Sequence, residues 1–211
     1  MIEMLNSDCM EVMARYPDKW FDLACVDPPY GIGENGGKYR GRKADNYNRI
    51  VVHEKKSWDN EKPTSEYFKE LMRVSKNQII WGGNYFTSKL PERMGWIFWD
   101  KLIGGDFSDG ELAWTSFHRA LKQLTYSYHG DTKGGHTRIH PTQKPIALYK
   151  WLLHNYAKPD MKILDTHGGS GSSAIACHYF GADMVWCELD KEYYDAAVKR
   201  FNEQTRQVQL L

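Results

Sequence analysis

The stretch 162–188 constrains the fold more than any other. Lys162-Ile163-Leu164-Asp165 has the length and apolar content of a buried strand. Thr166-His167-Gly168-Gly169-Ser170-Gly171-Ser172 follows as a glycine-rich turn, and residues 173–180 read as a helix. Asp183-Met184-Val185-Trp186-Cys187-Glu188 is then a second strand ending in an acid. A strand that passes through glycines into a helix lets a ligand approach the backbone closely. An acid closing the next strand is the usual means of holding a ribose diol. Gly169, Ser170, Gly171 and Glu188 are the first candidate ligand contacts.

A second acid-ended strand lies near the other end of the chain. Leu23-Ala24-Cys25-Val26 reads as a short buried strand, and Asp27-Pro28-Pro29-Tyr30 follows it. Pro28 has no N–H, so its carbonyl is an acceptor on a stiff backbone. Asp27 is a second acceptor and Tyr30 an aromatic face, a combination suited to a planar amine such as a nucleobase amino group. The plain alternative is a Pro-Pro turn that closes a strand, with Asp27 capping it.

With 211 residues, 41% hydrophobic and 14% aromatic, the chain is most simply one globular domain, residues 1–211. No run approaches the roughly 18 apolar residues of a membrane span, and the N-terminus lacks the apolar core of a signal peptide. Cys9, Cys25, Cys177 and Cys187 show neither metal-ligand nor disulfide spacing, so reduced thiols in the cytoplasm are the expectation. His118, His129, His136 and His140 match no zinc pattern, and no metal site is expected.

The formal net charge is only +1, but it is unevenly spread. Residues 38–56 carry Lys38, Arg40, Arg42, Lys43, Arg49, Lys55 and Lys56 against Asp45 and Glu54, a local net of +5. Residues 119–150 carry Arg119, Lys122, Lys133, Arg138, Lys144 and Lys150 against Asp131, again +5. Two basic segments on an acidic body suit a polyanion bound on one face, though solvated loops also carry charge. Residues 31–57 hold five glycines and no apolar period, and read as a long loop beside Asp27 with the character of a lid.

Elsewhere, residues 2–5 read as a strand, with Asp8 at the head of a short helix. Residues 65–76 read as a helix and 79–81 as a strand; 95–100 and 111–117 are further strands. Trp81 and Tyr85 are expected in the core rather than against a ligand. Between Phe117 and His140 no period survives. His140-Pro141-Thr142-Gln143-Lys144-Pro145 opens a helix that runs to Ala157, and a last helix presents Tyr194, Ala197, Val198 and Phe201 to the core.

Together, the Asp27 stretch, the glycine turn and Glu188 make the chain resemble the amino-group DNA methyltransferases that use S-adenosylmethionine. The match is closest to the N6-adenine type, in the group whose catalytic motif precedes its cofactor motif. The resemblance implies an α/β, Rossmann-like methyltransferase fold with permuted motif order: a mixed, mostly parallel sheet with helices on both faces. It implies that Asp27, Pro28, Pro29 and Tyr30 form the catalytic motif. Asp8 would meet the cofactor's adenine, Asp165 and His167 would lie beside it, and Lys144 and Thr142 would meet its carboxylate. Lys38, Arg40, Arg42, Lys43, Lys133 and Arg138 would contact double-stranded DNA, with target recognition in about 118–140. Family members usually carry Pro-Phe where Thr166-His167 stand, so His167 would have to stack in place of Phe.

The implied chemistry is transfer of a methyl group to the exocyclic amine of a flipped base. Asp27 and the Pro28 carbonyl would each accept one N–H and free the nitrogen lone pair. Cytosine N4 is the alternative target, RNA a remoter one, and a silent nucleic-acid-binding subunit the alternative of a different class. So short a recognition segment implies a site of about 2–5 base pairs, or recognition shared by a homodimer. A cognate restriction endonuclease is a further partner that the resemblance allows.

Overall fold

The computed structural model describes residues 1–33, 56–103, 108–129 and 138–206. In chain order the elements are β1 (Ile2–Asn6), α1 (Cys9–Met13), β2 (Phe21–Val26), α2 (Ser65–Val74), β3 (Ser75–Trp81), a 3-10 turn (Gly83–Tyr85), β4 (Trp96–Asp100), β5 (Gly110–Thr115), β6 (Lys122–Thr125), α3 (Ile146–Tyr156), β7 (Lys162–Asp165), α4 (Ser172–Phe180), β8 (Asp183–Glu188) and α5 (Lys191–Thr205). The eight strands form one sheet in the order β1-β8-β7-β2-β3-β5-β4-β6. The pairings from β1 through β3 are parallel, and so is β4 with β6; β5 runs antiparallel to both β3 and β4.

Alternation along β2 builds the two sides of the core. Leu23 and Cys25 pack with Leu148, Leu152, Ala176 and Trp186, so α3 and α4 lie on that face. Ala24 and Val26 pack with Met13, Phe68 and Leu71, so α1 and α2 lie on the other. This is the mixed, mostly parallel sheet with helices on both faces that the sequence implied. From β7 the chain crosses through α4 to β8 on one side. From β2 it crosses through α2 to β3 on the other. Strand order therefore reverses between β7 and β2, and the crevice outside their C-terminal ends is where such sheets bind ligands.

Two expectations need correction. The 118–140 segment is not patternless: Lys122–Thr125 pairs with Ile97–Asp100 as the edge strand β6, too short and polar to show a period. α3 begins only at Ile146, with Pro145 at its N-cap, because a proline pushes the residue before it out of helical geometry. Along α5 the expected residues Tyr194, Ala197 and Phe201 do pack against the core, and Tyr193 and Arg200 are buried beside them. Arg200 is buried because its Nη1 donates to the Ser170 carbonyl (2.8 Å) and to Ser172 Oγ (2.9 Å), bracing the glycine turn.

Candidate active site

The glycine turn forms one wall of a cavity of about 390 Å³ at the switch point, within the usual range for a small-molecule site. Gly168 takes a close packing position: a Cβ there would lie 1.7 Å from Trp186 Cε2. Its N–H donates to the Cys187 carbonyl (2.9 Å), which ties the turn to β8. Gly169 has φ +53° and its N–H donates to Glu188 Oε2 at 2.9 Å. Glu188 Oε1 accepts the N–H of Asp190 at 2.9 Å. Burial raises the Glu188 pKa, and these two bonds oppose the rise. A carboxylate offers about four acceptor positions, so Glu188 keeps capacity for a diol.

Asp8 caps α1, its Oδ1 accepting from Met10 N (2.7 Å) and Glu11 N (3.3 Å), and it also lines the cavity. His167, Thr142, Gly169 and Ser170 are also in the cavity wall, with Trp58 and Tyr193. Thr142 Oγ1 lies 3.2 Å from His140 Nδ1. Gly171, at φ +74°, is the N-cap of α4 rather than part of the wall.

Asp165 stands behind the cavity. Its Oδ2 accepts Ser173 Oγ at 2.6 Å and its Oδ1 accepts the His167 N–H at 3.1 Å. Burial raises its pKa to about 7, against those two hydrogen bonds. Burial lowers that of His167 to about 4. The two act in opposite senses. The stability tied to protonated Asp165 is present in acid and is lost as pH rises through about 7. That tied to neutral His167 is present at neutral pH and is lost as pH falls toward 4. They are worth at most roughly 4 and 3 kcal/mol respectively, to within about half a kcal/mol, and they offset between about pH 4 and 6.5. Asp165→Asn should therefore make the protein lose stability on acidification, and His167→Asn should make it gain. Thermal melts across this window check the signs, and parallel curves for both variants would refute the account.

At the β2 edge of the cavity, Asp27 is held on both oxygens. Tyr30 Oη donates to Oδ1 at 2.7 Å, and Lys144 Nζ to Oδ2 at 2.5 Å. Lys144 also lies 3.0 Å from Glu111 Oε2, and Lys101 Nζ lies 2.6 Å from Glu111 Oε1. Two lysines and two carboxylates thus form one network, with the Lys144 side chain only 4% exposed. Burial is the chief force raising the Asp27 pKa; Lys144 opposes it and Glu111 adds to it. For Glu111, the pull of Lys144 and Lys101 outweighs burial and lowers the pKa. Lys144 lines the cavity with its ammonium already paired: a buried ammonium requires counter-charges, and Asp27 and Glu111 supply them.

The Tyr30 ring stacks on Tyr85 (centroids 5.0 Å, 17°). Gly82, at φ +67°, makes room for it; a Cβ there would lie 2.1 Å from Tyr30 Cε1. Tyr85 is 36% exposed, not a core residue, whereas Trp81 is fully buried. Pro28 is buried and Pro29 lines the cavity.

Of the expected phosphate contacts, Lys38, Arg40, Arg42, Lys43 and Lys133 lie outside the described residues, as does most of the loop 31–57. Arg138 is committed within the fold: its Nη2 donates to the Tyr128 carbonyl (2.8 Å) and its guanidinium lies 3.7 Å from the Tyr128 ring centroid. Lys56, at the end of the predicted loop, pairs with Asp190 (2.7 Å) and Glu192 (2.6 Å) at the N-terminus of α5. Sequence reasoning missed Glu111, Lys101 and Trp58. A glutamate in a strand that is otherwise largely apolar was the available signal, since buried carboxylates are almost never unpaired.

The architecture is that of a Rossmann-like methyltransferase. A family model of DNA methylases, of the N6/N4 type, matches residues 80–199, more than half of the chain, and the chain belongs to that family. YubD, a protein named as a methylase in Escherichia coli (strain K12), is 24% identical over 221 residues, covering 99% of this chain and 94% of that protein. The structure of M1.HpyAVI in complex with SAM superposes with a TM-score of 0.62 at 18% identity, covering 95% of this chain and all of that one. The PvuII DNA methyltransferase, cytosine-N4-specific, superposes with a TM-score of 0.61 at 15% identity, covering 95% and 86%. The Asp27 stretch lies outside the matched span.

Proposed function

We propose that this protein transfers the methyl group of S-adenosylmethionine to the N6 amino group of an adenine flipped out of double-stranded DNA. The observation that carries this reading is the juxtaposition of Asp27 with the cavity bounded by the glycine turn and Glu188. The residues present fit an adenosyl group: two carboxylates, Asp8 and Glu188, with the aromatic side chains of Trp58, His167 and Tyr193 in one wall. When bound, S-adenosylmethionine supplies an electrophilic sulfonium methyl. Glu188 accepts hydroxyl protons of the ribose, and Gly169 admits the ligand close to the backbone. Asp27 and the Pro28 carbonyl accept the two amine N–H bonds, which frees the nitrogen lone pair. Even with its pKa raised by burial, the Asp27 carboxylate is far too weak a base to deprotonate a neutral amine; it receives the proton that the cationic product sheds. The Tyr30–Tyr85 stack leads from Asp27 to the surface and gives a flipped base an aromatic platform, worth roughly 1–3 kcal/mol per stacked base.

Adenine is favoured over cytosine because Asp stands at position 27, where relatives of the N4-cytosine type more often carry Ser. The likeness to the cytosine-N4-specific PvuII enzyme keeps cytosine as the second reading. The basic residues at 38–43, with Lys133, belong to this reading as phosphate contacts. A single methyltransferase domain, a homodimer that shares recognition, a cognate restriction endonuclease and a cytoplasmic setting complete it. The test supplies methyl-labelled cofactor and mixed-sequence DNA, then identifies the modified nucleoside. N6-methyladenine is expected. N4-methylcytosine would select the second reading, and unlabelled DNA would overturn both.

A further inference from the structure

Each Asp27 oxygen already accepts one strong hydrogen bond, from a buried ammonium and from a phenol, which leaves acceptor positions but weakens them for an incoming amine. The structure holds an alternative acceptor for both partners. Glu111 Oε2 lies 3.0 Å from Lys144 Nζ and 3.4 Å from Tyr30 Oη, while Oε1 is anchored by Lys101 at 2.6 Å. Glu111 stands there because β5 runs antiparallel to β3, which brings the first residues of β5 to the C-terminal edge of the parallel strands. Lys144 Nζ and Tyr30 Oη are themselves 3.3 Å apart, so the two donors lie together between two carboxylates.

We propose that Glu111 is a positioning residue that draws Lys144 and Tyr30 away from Asp27 when the substrate amine arrives, turning Asp27 from an ion-pair partner into the amine's acceptor. The inference rests on the methyl-transfer reading given above. The charge balance explains the need for it. As the nitrogen–methyl bond forms and the sulfur–methyl bond breaks, positive charge moves from the sulfonium to the amine nitrogen beside Asp27. The Lys144 ammonium opposes that charge unless a second carboxylate screens it. With Glu111 present, two ammoniums face two carboxylates. Without its charge, two ammoniums face Asp27 alone, and both Lys144 and Tyr30 have only Asp27 to bind. The conformational demand is small, since both donors are already within or near hydrogen-bonding reach of Glu111.

The test compares wild type, Glu111→Gln, Lys144→Met and the double variant in single-turnover methyl transfer, with cofactor affinity measured by calorimetry. Glu111→Gln should slow transfer roughly 10- to 100-fold, less than loss of a direct contact to the reacting group. Its cofactor affinity should stay within about twofold, because Glu111 does not line the cavity. Adding Lys144→Met should recover part of the lost rate by removing the ammonium that locks Asp27. Glu111→Asp, which keeps the charge, tests the same point if the glutamine variant folds poorly, and should lose less than tenfold. Active wild type with an equally fast Glu111→Gln variant would overturn the proposal alone. A double variant as slow as, or slower than, Glu111→Gln would overturn it too, since a merely structural glutamate is not rescued by removing its neighbour. A wild type that labels no nucleic acid would overturn it together with the reading on which it rests.

Discussion

Replacing Asp27 with alanine is expected to slow methyl transfer by at least roughly 10²–10³-fold, with cofactor affinity changed no more than a few-fold. The carboxylate lies at the β2 edge of the cavity, while Glu188 and the glycine turn occupy the β7–β8 edge. The loss therefore falls on the amine acceptor and spares the proposed cofactor contacts. The fold should survive the change. Lys144 retains Glu111 at 3.0 Å, so the buried ammonium is not orphaned, and Tyr30 remains packed against Tyr85 and Gly82. Single-turnover transfer from labelled cofactor, beside calorimetric cofactor titration, measures the two quantities separately. Turnover near the wild-type rate would remove Asp27 from the chemistry.

The largest structural effect is expected from Gly168→Ala. The added Cβ would meet Trp186 at 1.7 Å from Cε2 and 2.0 Å from Nε1, inside contact distance of a fully buried ring. The turn has little freedom to retreat, because the Gly168 N–H is bonded to Cys187 on the same strand as Trp186. Overpacking a well-filled interior costs about 1–3 kcal/mol, and an approach this close belongs at or above the upper end. For a chain of this size that corresponds to a fall in Tm of roughly 6–12 °C. Displacing the turn also loosens the Gly169–Glu188 bond, so cofactor affinity should fall with stability. Gly169→Ala is the control. A Cβ there finds nothing nearer than His140 at 3.7 Å, and only its φ of +53° is strained, at a cost of about 1–2 kcal/mol. A Gly168→Ala protein as stable as wild type would mean that the turn, not Trp186, gives way.

Much of this architecture was legible because it is local. The glycine turn between Asp165 and Ser172, the acid ending β8 and the Asp27-Pro28-Pro29-Tyr30 sequence each declare themselves within a few residues. Asp8 was legible as a cap and as a ligand candidate, and it lines the cavity while capping α1. Other features were not legible. Tyr85 looked like core because an aromatic after Ile79-Ile80-Trp81 carries no mark of exposure, yet it follows the strand's end and stacks outward on Tyr30. The burial of Arg200 on α5 was not legible either, because an arginine reads as a surface residue until the Ser170 carbonyl needs a donor. The packing of Arg138 on the carbonyl and ring of Tyr128 was likewise not legible, since the two lie ten positions apart.

By itself the sequence determined most of the helix and strand types, the glycine turn and the residue kinds at the β2 edge of the cavity, since these follow from side-chain period, glycine conformation and hydrogen-bonding capacity over short spans. The partnership of Asp27 with Lys144, 117 positions away, was decided only by the tertiary structure. So was the entry of Glu111 and Lys101 into the same network. Those groups meet because strand order reverses between β7 and β2 and because β5 enters antiparallel beside β3. Sheet order is a property of the whole packed core. A lysine's sequence neighbours say that it is charged, but not which buried carboxylate will neutralise it.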